Sequence, residues 1–125
     1  MKRLVILSWM LLLYFDFIMK FRDLKTLHNV LRRRLACSSS DLSAPSNEQL
    51  CRAMDYACVF YFKKVLCLQR SAATTVLLRG YGRDANMITG AQILPFRSHA
   101  WVEIQGSVVN DKPYMREIYQ VLDQC

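Results

Sequence analysis

The sequence predicts an α+β domain in which a cysteine-bearing helix packs on a small antiparallel sheet, with an extra apolar helix at the N-terminus. Apolar residues recur at helical spacing between Ser46 and Arg79, whereas after Ala85 they alternate with period two and are punctuated by Gly90 and Pro95. With 125 residues, the chain is sized for one domain that buries roughly two-thirds of its unfolded surface. We assign residues 46–125 to this domain and residues 1–45 to an apolar, basic docking segment that ends in a linker.

The net charge of +7 is concentrated near the N-terminus. Residues 1–36 hold eight basic and two acidic residues, a net charge of +6, and the rest holds nine basic and eight acidic residues, a net charge of +1. A basic segment of this kind suits an acidic peptide, an acidic partner or a lipid surface. Because no basic and aromatic interleaving accompanies it, we expect no binding to nucleic acid.

The cysteines and histidines argue against a metal site. The five cysteines lack a C-x-x-C pair, and only two histidines are present, of which His28 is given no role. An odd number of cysteines without framework spacing favours reduced thiols in a cytoplasm. The cysteines are Cys37, Cys51, Cys58, Cys67 and Cys125.

The first residues form an apolar run that a charge interrupts. Residues 4–19 are apolar except for Ser8 and Asp16, about 16 residues in all, which is short of the roughly 20 needed to span a bilayer. No small-residue cleavage site follows, which disfavours a signal peptide. We expect a helix packed on the domain or on a partner, and a membrane contact through residues 4–19 is the alternative left open. Residues 37–46 are rich in turn formers and are predicted to be a linker.

Two helices are predicted after the linker. Ser46 and Gln49 form a capping box at the start of the first, which places Cys51 and Cys58 near its apolar stripe. The second runs from Cys67 to Arg79 and ends at Gly80. Cys67 lies in its first turn, where the positive end of the helix dipole stabilises a thiolate and unpaired N–H groups can bind an oxyanion.

A hairpin is predicted to bring a histidine to a carboxylate. His99, Trp101 and Glu103 alternate onto one face of a strand, and Gly106 turns the chain. A three-residue loop, Ile104–Gly106, pairs Glu103 with Ser107 and puts His99 opposite Asp111, whereas a two-residue loop turns Asp111 to the other face. In the first register the carboxylate orients the imidazole, and the other ring nitrogen takes the thiol proton.

Several short motifs together resemble the transglutaminase-like cysteine proteases that process lasso-peptide precursors. The resemblance covers roughly residues 50–112 and is closest to the stand-alone leader peptidases. The matching motifs are Cys67–Ser71 (CLQRS), Leu77–Gly80 (LLRG), Pro95 and Phe96, His99–Glu103 (HAWVE), Gly106, and Asn110 with Asp111.

The resemblance implies a papain-like or transglutaminase-like core and a Cys67, His99, Asp111 triad without metal or organic cofactor. Trp101, Gln69 and Glu103 become cleft candidates, with Trp101 as a wall or a core residue, Gln69 as an oxyanion donor and Glu103 as an edge charge. The implied activity is removal of the leader from a ribosomally made precursor in the bacterial cytoplasm. The implied partners are the leader peptide, a separate leader-recognition protein and an ATP-dependent lasso cyclase. An acyltransferase with the same triad and a non-catalytic precursor-binding scaffold are the alternatives.

Overall fold

The computed structural model describes residues 2–21, 24–33, 46–62, 64–92, 97–104, 106–111 and 115–124. It confirms the predicted α+β class. The helices are α1 (Lys2–Phe21), α2 (Leu24–Arg33), α3 (Asn47–Phe60), α4 (Cys67–Gly80) and α5 (Met115–Ile118), and the strands are β1 (Ala85–Gln92), β2 (Arg97–Ile104), β3 (Ser107–Val108) and β4 (Gln120–Gln124). Most of the predicted linker, and Pro95 and Phe96 of the motifs, lie outside the described residues.

Helix α1 packs lengthwise on α3 and α4. Its inner stripe is buried and recurs about every turn, at Leu4, Ser8, Leu12, Phe15 and Ile18. The expectation that this segment is too short to cross a bilayer is wrong, because the helix has 20 residues and is long and apolar enough for a span by length and composition. The helix extends beyond the apolar run of residues 4–19, from Lys2 to Phe21, and Asp16, which interrupts that run, accepts a hydrogen bond from the Tyr61 hydroxyl at 2.9 Å.

The predicted capping box starts helix α3. The Ser46 hydroxyl accepts a hydrogen bond from the Gln49 backbone N–H at 3.2 Å, and the Gln49 side chain accepts one from the Ser46 N–H at 3.0 Å. These bonds satisfy two donors that the helix itself leaves without partners. Leu50 and Met54 of the inner face are then fully buried against the core.

Helix α4 is the central helix and is buried along most of its length. Its C-terminal end is fixed by the buried Arg79, whose guanidinium donates hydrogen bonds to the Ala85 carbonyl at 2.9 Å and to the Leu31 carbonyl. Arg79 is therefore a structural residue that joins α4 to β1 and α2.

The sheet has four antiparallel strands in the order β3-β2-β1-β4. One face, with Met87 and Val102, packs under α4 in the main core. On the other face Ile88, Trp101 and Met115 form a second buried cluster. Strand β2 thus has a buried residue on each face, and its His99 end extends beyond the two-residue β3.

The predicted register of the β2–β3 hairpin is wrong. Ile104 pairs with Ser107 and Glu103 with Val108, which leaves a two-residue loop in which Gly106 has φ +81°. Val108 thereby packs against the Trp101 cluster, and Val109 packs against the main core. Because both residues are valine, the apolar pattern of the sequence does not distinguish this register from the one shifted by a residue.

Candidate active site

Cys67 is the first residue of α4, and its side chain is exposed. It lines a cavity of about 280 Å³ between the start of α4 and the open edge of β2. His99, Asn110 and Asp111 line the same cavity, together with Lys64, Val65, Arg70, Ser71 and Ala100. The structure therefore brings the three predicted triad residues to one cleft.

The His99 imidazole and the Asp111 carboxylate are in direct contact. His99 Nε2 lies 2.6 Å from Asp111 Oδ2, and the two side chains are 24% and 27% exposed. A bond through Nε2 fixes the orientation of the ring and leaves Nδ1 as the nitrogen that can exchange a proton with a thiol. The predicted contact is thus present despite the different hairpin register.

Asp111 reaches His99 because the ladder stops early. Val109 N–H donates to the Val102 carbonyl at 3.0 Å, and in a continuing ladder Val102 N–H would bond to Val109 in return. Instead, Val102 N–H donates to the Asn110 side-chain oxygen at 2.7 Å. The Asn110 side chain replaces the next rung of the ladder, and the chain leaves the sheet so that Asp111 turns toward His99.

Ser71 joins the cysteine helix to the histidine strand. It lies four residues after Cys67, on the same side of α4, and its buried hydroxyl donates to the Ala100 carbonyl at 2.9 Å. Asn110 Nδ2 in turn lies 3.5 Å from Ser71 Oγ. Sequence reasoning did not assign Ser71 or Asn110 a role, although both stand in the matching motifs and the four-residue spacing from Cys67 was a usable signal.

Aromatic rings support the His99 imidazole from inside the sheet. Its ring centre lies 6.2 Å from that of Trp101 and 5.4 Å from that of Tyr119, and both pairs are nearly parallel. Trp101 is fully buried, so of its two predicted roles the structure supports the core residue. Tyr119 was not predicted, because it precedes a C-terminal strand whose pairing no local pattern indicates.

Glu103 does not act as an edge charge, which corrects the prediction. It is 3% exposed, and its carboxylate accepts hydrogen bonds from Arg116 Nε at 2.9 Å and from Trp101 Nε1 at 2.7 Å. Burial alone would raise the pKa of Glu103, but the hydrogen bonds from Arg116 and Trp101 and the Arg116 charge hold this pKa below its usual range. Glu103 is buried because its ionic partner, Arg116, comes from the distant α5 segment.

Gln69 does not lie in the cleft, which is a second correction. It is 1% exposed, and its Nε2 donates to the Leu12 carbonyl of α1 at 2.7 Å. This bond positions α1 on α4 and directs the carboxamide away from Cys67. An oxyanion at Cys67 would therefore rely on backbone N–H groups in the first turn of α4, where Leu66 offers no side-chain cap in the described structure.

The neighbouring cysteines differ from Cys67 in their surroundings. Burial raises the pKa of Cys51 to about 11, and Asp55 adds to the shift. Burial also raises the pKa of Cys58. Both thiols are half-buried in α3, where Cys58 packs against the main core, whereas Cys67 is exposed. Over the described residues, no group of three or more His, Cys, Asp or Glu side chains is arranged to hold a metal ion.

The α+β fold that carries this cleft agrees with comparisons to known proteins. The profile of the transglutaminase-like superfamily matches residues 11–124. The chain belongs to the transglutaminase-like superfamily. Among its relatives is the microcin J25-processing protein McjB of Escherichia coli, which is 41% identical over 56 residues. That match covers 45% of this transglutaminase-like chain and 27% of the relative. No solved structure gave a significant match.

Proposed function

We propose that the protein is a cysteine peptidase that removes the leader from a ribosomally made lasso-peptide precursor. The observation that carries the proposal is the 2.6 Å contact between His99 Nε2 and Asp111 Oδ2 at a cleft that Cys67 also lines. The similarity of part of the chain to a microcin-processing protein supports the substrate class.

In this mechanism His99 Nδ1 takes the proton of Cys67, and Asp111 stabilises the resulting imidazolium. The thiolate attacks the carbonyl carbon of the leader–core bond, and the backbone N–H groups at the start of α4 stabilise the oxyanion. His99 then gives its proton to the departing core amine, which leaves the leader carboxyl as a thioester on Cys67. A water that His99 deprotonates hydrolyses this thioester, which releases the leader carboxylate and restores the thiol.

The role in a pathway follows from the same proposal. A freed core N-terminus is the nucleophile that an ATP-dependent macrolactam cyclase needs, so the peptidase acts before that cyclase. A separate leader-recognition protein delivers the precursor, with the docking segment of residues 1–45 as part of the contact surface. Lys64, which lines the cleft, provides positive charge beside an extended peptide.

Reconstitution with the precursor, the recognition protein and the cyclase tests the proposal. We expect the Cys67→Ala variant to fold but to lose cleavage activity. The matched variant Cys58→Ala, in α3, should cleave the precursor as the wild type does. Mass spectrometry of the leader identifies the reaction, because hydrolysis yields a free carboxylate and an acyltransferase yields an amide. A Cys67→Ala variant that retains full pathway activity would identify a scaffold and overturn the peptidase.

Alkylation at pH 7.5 provides a second measurement, with peptide mapping of each cysteine. A thiol whose pKa is about 11 has roughly 100-fold less thiolate than one at the ordinary value of 9.0, so Cys51 should react slowly. We expect the exposed Cys67 to be labelled well before Cys51 and Cys58. Labelling of Cys67 no faster than that of Cys51 and Cys58 in the folded protein would contradict a distinct nucleophile. Labelling in denaturant is the control, because unfolding should make the three rates equal.

A further inference from the structure

The outward side of helix α1 carries only apolar and basic side chains. Its exposed residues fall on an arc of roughly 140° at 3.6 residues per turn, opposite the buried stripe. We call this arc the outer face of α1. It consists of Ile6, Leu7, Met10, Leu13, Tyr14, Phe17 and Phe21, with Lys2 and Arg3 at one end and Lys20 at the other.

The one acidic residue of α1 is directed away from the outer face. Asp16 is partly buried, and its carboxylate accepts the hydrogen bond from the Tyr61 hydroxyl of the packed side. Burial of the hydroxyl and this bond raise the pKa of Tyr61 to about 12. No negative charge therefore opposes Lys2, Arg3 and Lys20 along the exposed part of this helix, all of whose residues are described.

The apolar surface continues from α1 onto α3. A cavity of about 300 Å³ with almost wholly apolar lining joins Lys2, Val5 and Ile6 to Tyr56 and Phe60. A soluble monomer rarely exposes an apolar patch that runs the full length of a helix of about 30 Å. Such a patch is expected to bind a partner, and the basic residues at its two ends indicate that this partner is anionic.

We propose that the outer face of α1 binds an anionic lipid surface, with the helix lying in the plane of the membrane. Lys2, Arg3 and Lys20 would reach the lipid phosphates while the apolar side chains between them enter the acyl boundary. A second copy of the chain fits less well, because antiparallel pairing of two α1 helices would place Lys20 against Lys2 and Arg3 of the other copy. This assignment leaves α2, rather than α1, as the part of the docking segment that contacts the recognition protein, and it does not depend on the peptidase function.

The packed side of α1 favours this orientation over a membrane span. Leu12 and Phe15 are fully buried in the protein, and Gln69 holds the Leu12 carbonyl. A span would break these contacts and would also place the Asp16 carboxylate in hydrocarbon without its Tyr61 partner, which is costly. In-plane binding keeps every one of these contacts.

Flotation of the full chain, made by cell-free synthesis, tests the proposal. Vesicles of phosphatidylcholine alone are compared with vesicles containing equal parts of phosphatidylglycerol, since bound protein floats and aggregates sediment. We expect at least tenfold stronger binding to the anionic vesicles, with a decrease in high salt. Met10→Glu with Phe17→Glu, at the centre of the face, should weaken binding at least tenfold. Leu122→Glu is the matched control, because Leu122 of β4 is 65% exposed against 59% and 63% for Met10 and Phe17.

Three outcomes would overturn the proposal. The first is equal binding to both kinds of vesicle. The second is a wild-type protein that does not float but forms a dimer, which Met10→Glu with Phe17→Glu dissociates. The third is membrane-bound protein that alkaline carbonate cannot extract, as expected of a membrane span. If the double variant unfolds, Lys2→Gln with Lys20→Gln decides, because it should lower anionic binding severalfold without touching the core. Cys67→Ala should float as the wild type does, so failure of the lipid proposal is distinguishable from failure of the peptidase proposal.

Discussion

Along strand β2, His99 and Glu103 point to the same face of the sheet but have different surroundings. His99 meets a carboxylate in a partly open cleft, with both side chains about a quarter exposed. Glu103 is 3% exposed and meets the half-exposed guanidinium of Arg116. Trp101 lies between them, close to the His99 ring and hydrogen-bonded to Glu103. The His99 end of the strand is therefore suited to chemistry, whereas the Glu103 end stabilises the face of the sheet that carries His99.

The largest expected effect is at the His99 end. Asp111→Asn keeps the size of the side chain but removes the charge that would stabilise an imidazolium, so we expect the cleavage rate to fall about 10²–10⁴-fold. The side chain is 27% exposed, so the free energy of unfolding should change by less than about 1 kcal/mol. Single-turnover kinetics and urea unfolding measure the two quantities. A large loss of stability with little loss of rate would show that the His99–Asp111 contact is structural.

A substitution at Gly90 tests the packing of Trp101 and Tyr119, which we call the aromatic layer. It pairs with His99 in the sheet, and a Cβ at this position would lie 2.8 Å from Trp101 and 2.9 Å from the Tyr119 Cβ. Trp101 is fully buried and cannot easily move, so Gly90→Ala should destabilise the fold by about 1–3 kcal/mol. Displacement of the Trp101 and Tyr119 rings should also disturb the orientation of His99 and thereby lower the cleavage rate.

Gly80→Ala is the matched control for this substitution. A Cβ there would meet nothing within 4 Å, and the helical position favours alanine, so thermal unfolding should show no loss of stability. Equal unfolding temperatures for the two variants would contradict close packing of the aromatic layer.

The sequence predicted the individual helices and strands better than the register in which strands β2 and β3 pair. Capping at Ser46, the span of α4 and the shared face of His99, Trp101 and Glu103 follow from local chemistry and periodicity, and the structure agrees. The hairpin register did not follow, because two adjacent valines fit either register and the choice depends on the distant Asn110 and Ser71 contacts. The burial of Glu103 depends on Arg116, 13 residues further along the chain, and local patterns carry no information about that pair.

The smallest expected effect is at the Glu103 end. Glu103→Gln weakens the hydrogen bonds from Arg116, and since Arg116 is 49% exposed, water compensates part of the loss. We expect a loss of about 1–2 kcal/mol in the free energy of unfolding at pH 7, with the cleavage mechanism intact. Glu117→Gln, on the exposed side of α5, is the control and should change stability by less than about 0.5 kcal/mol.

The pH dependence of this loss identifies the carboxylate as its source. The pKa of Glu103 in the fold lies below the ordinary value of 4.5, so the unfolded chain takes up a proton first as the pH falls. The stability from Glu103 is therefore fully present above pH 4.5 and is lost as the pH falls through the lower folded pKa. Urea unfolding between pH 7 and pH 3 should then show the wild type and Glu103→Gln converging at the acidic end. A constant difference across this range would mean that the loss comes from the amide N–H donors that glutamine introduces beside Arg116 and Trp101, and not from the ionisation of Glu103.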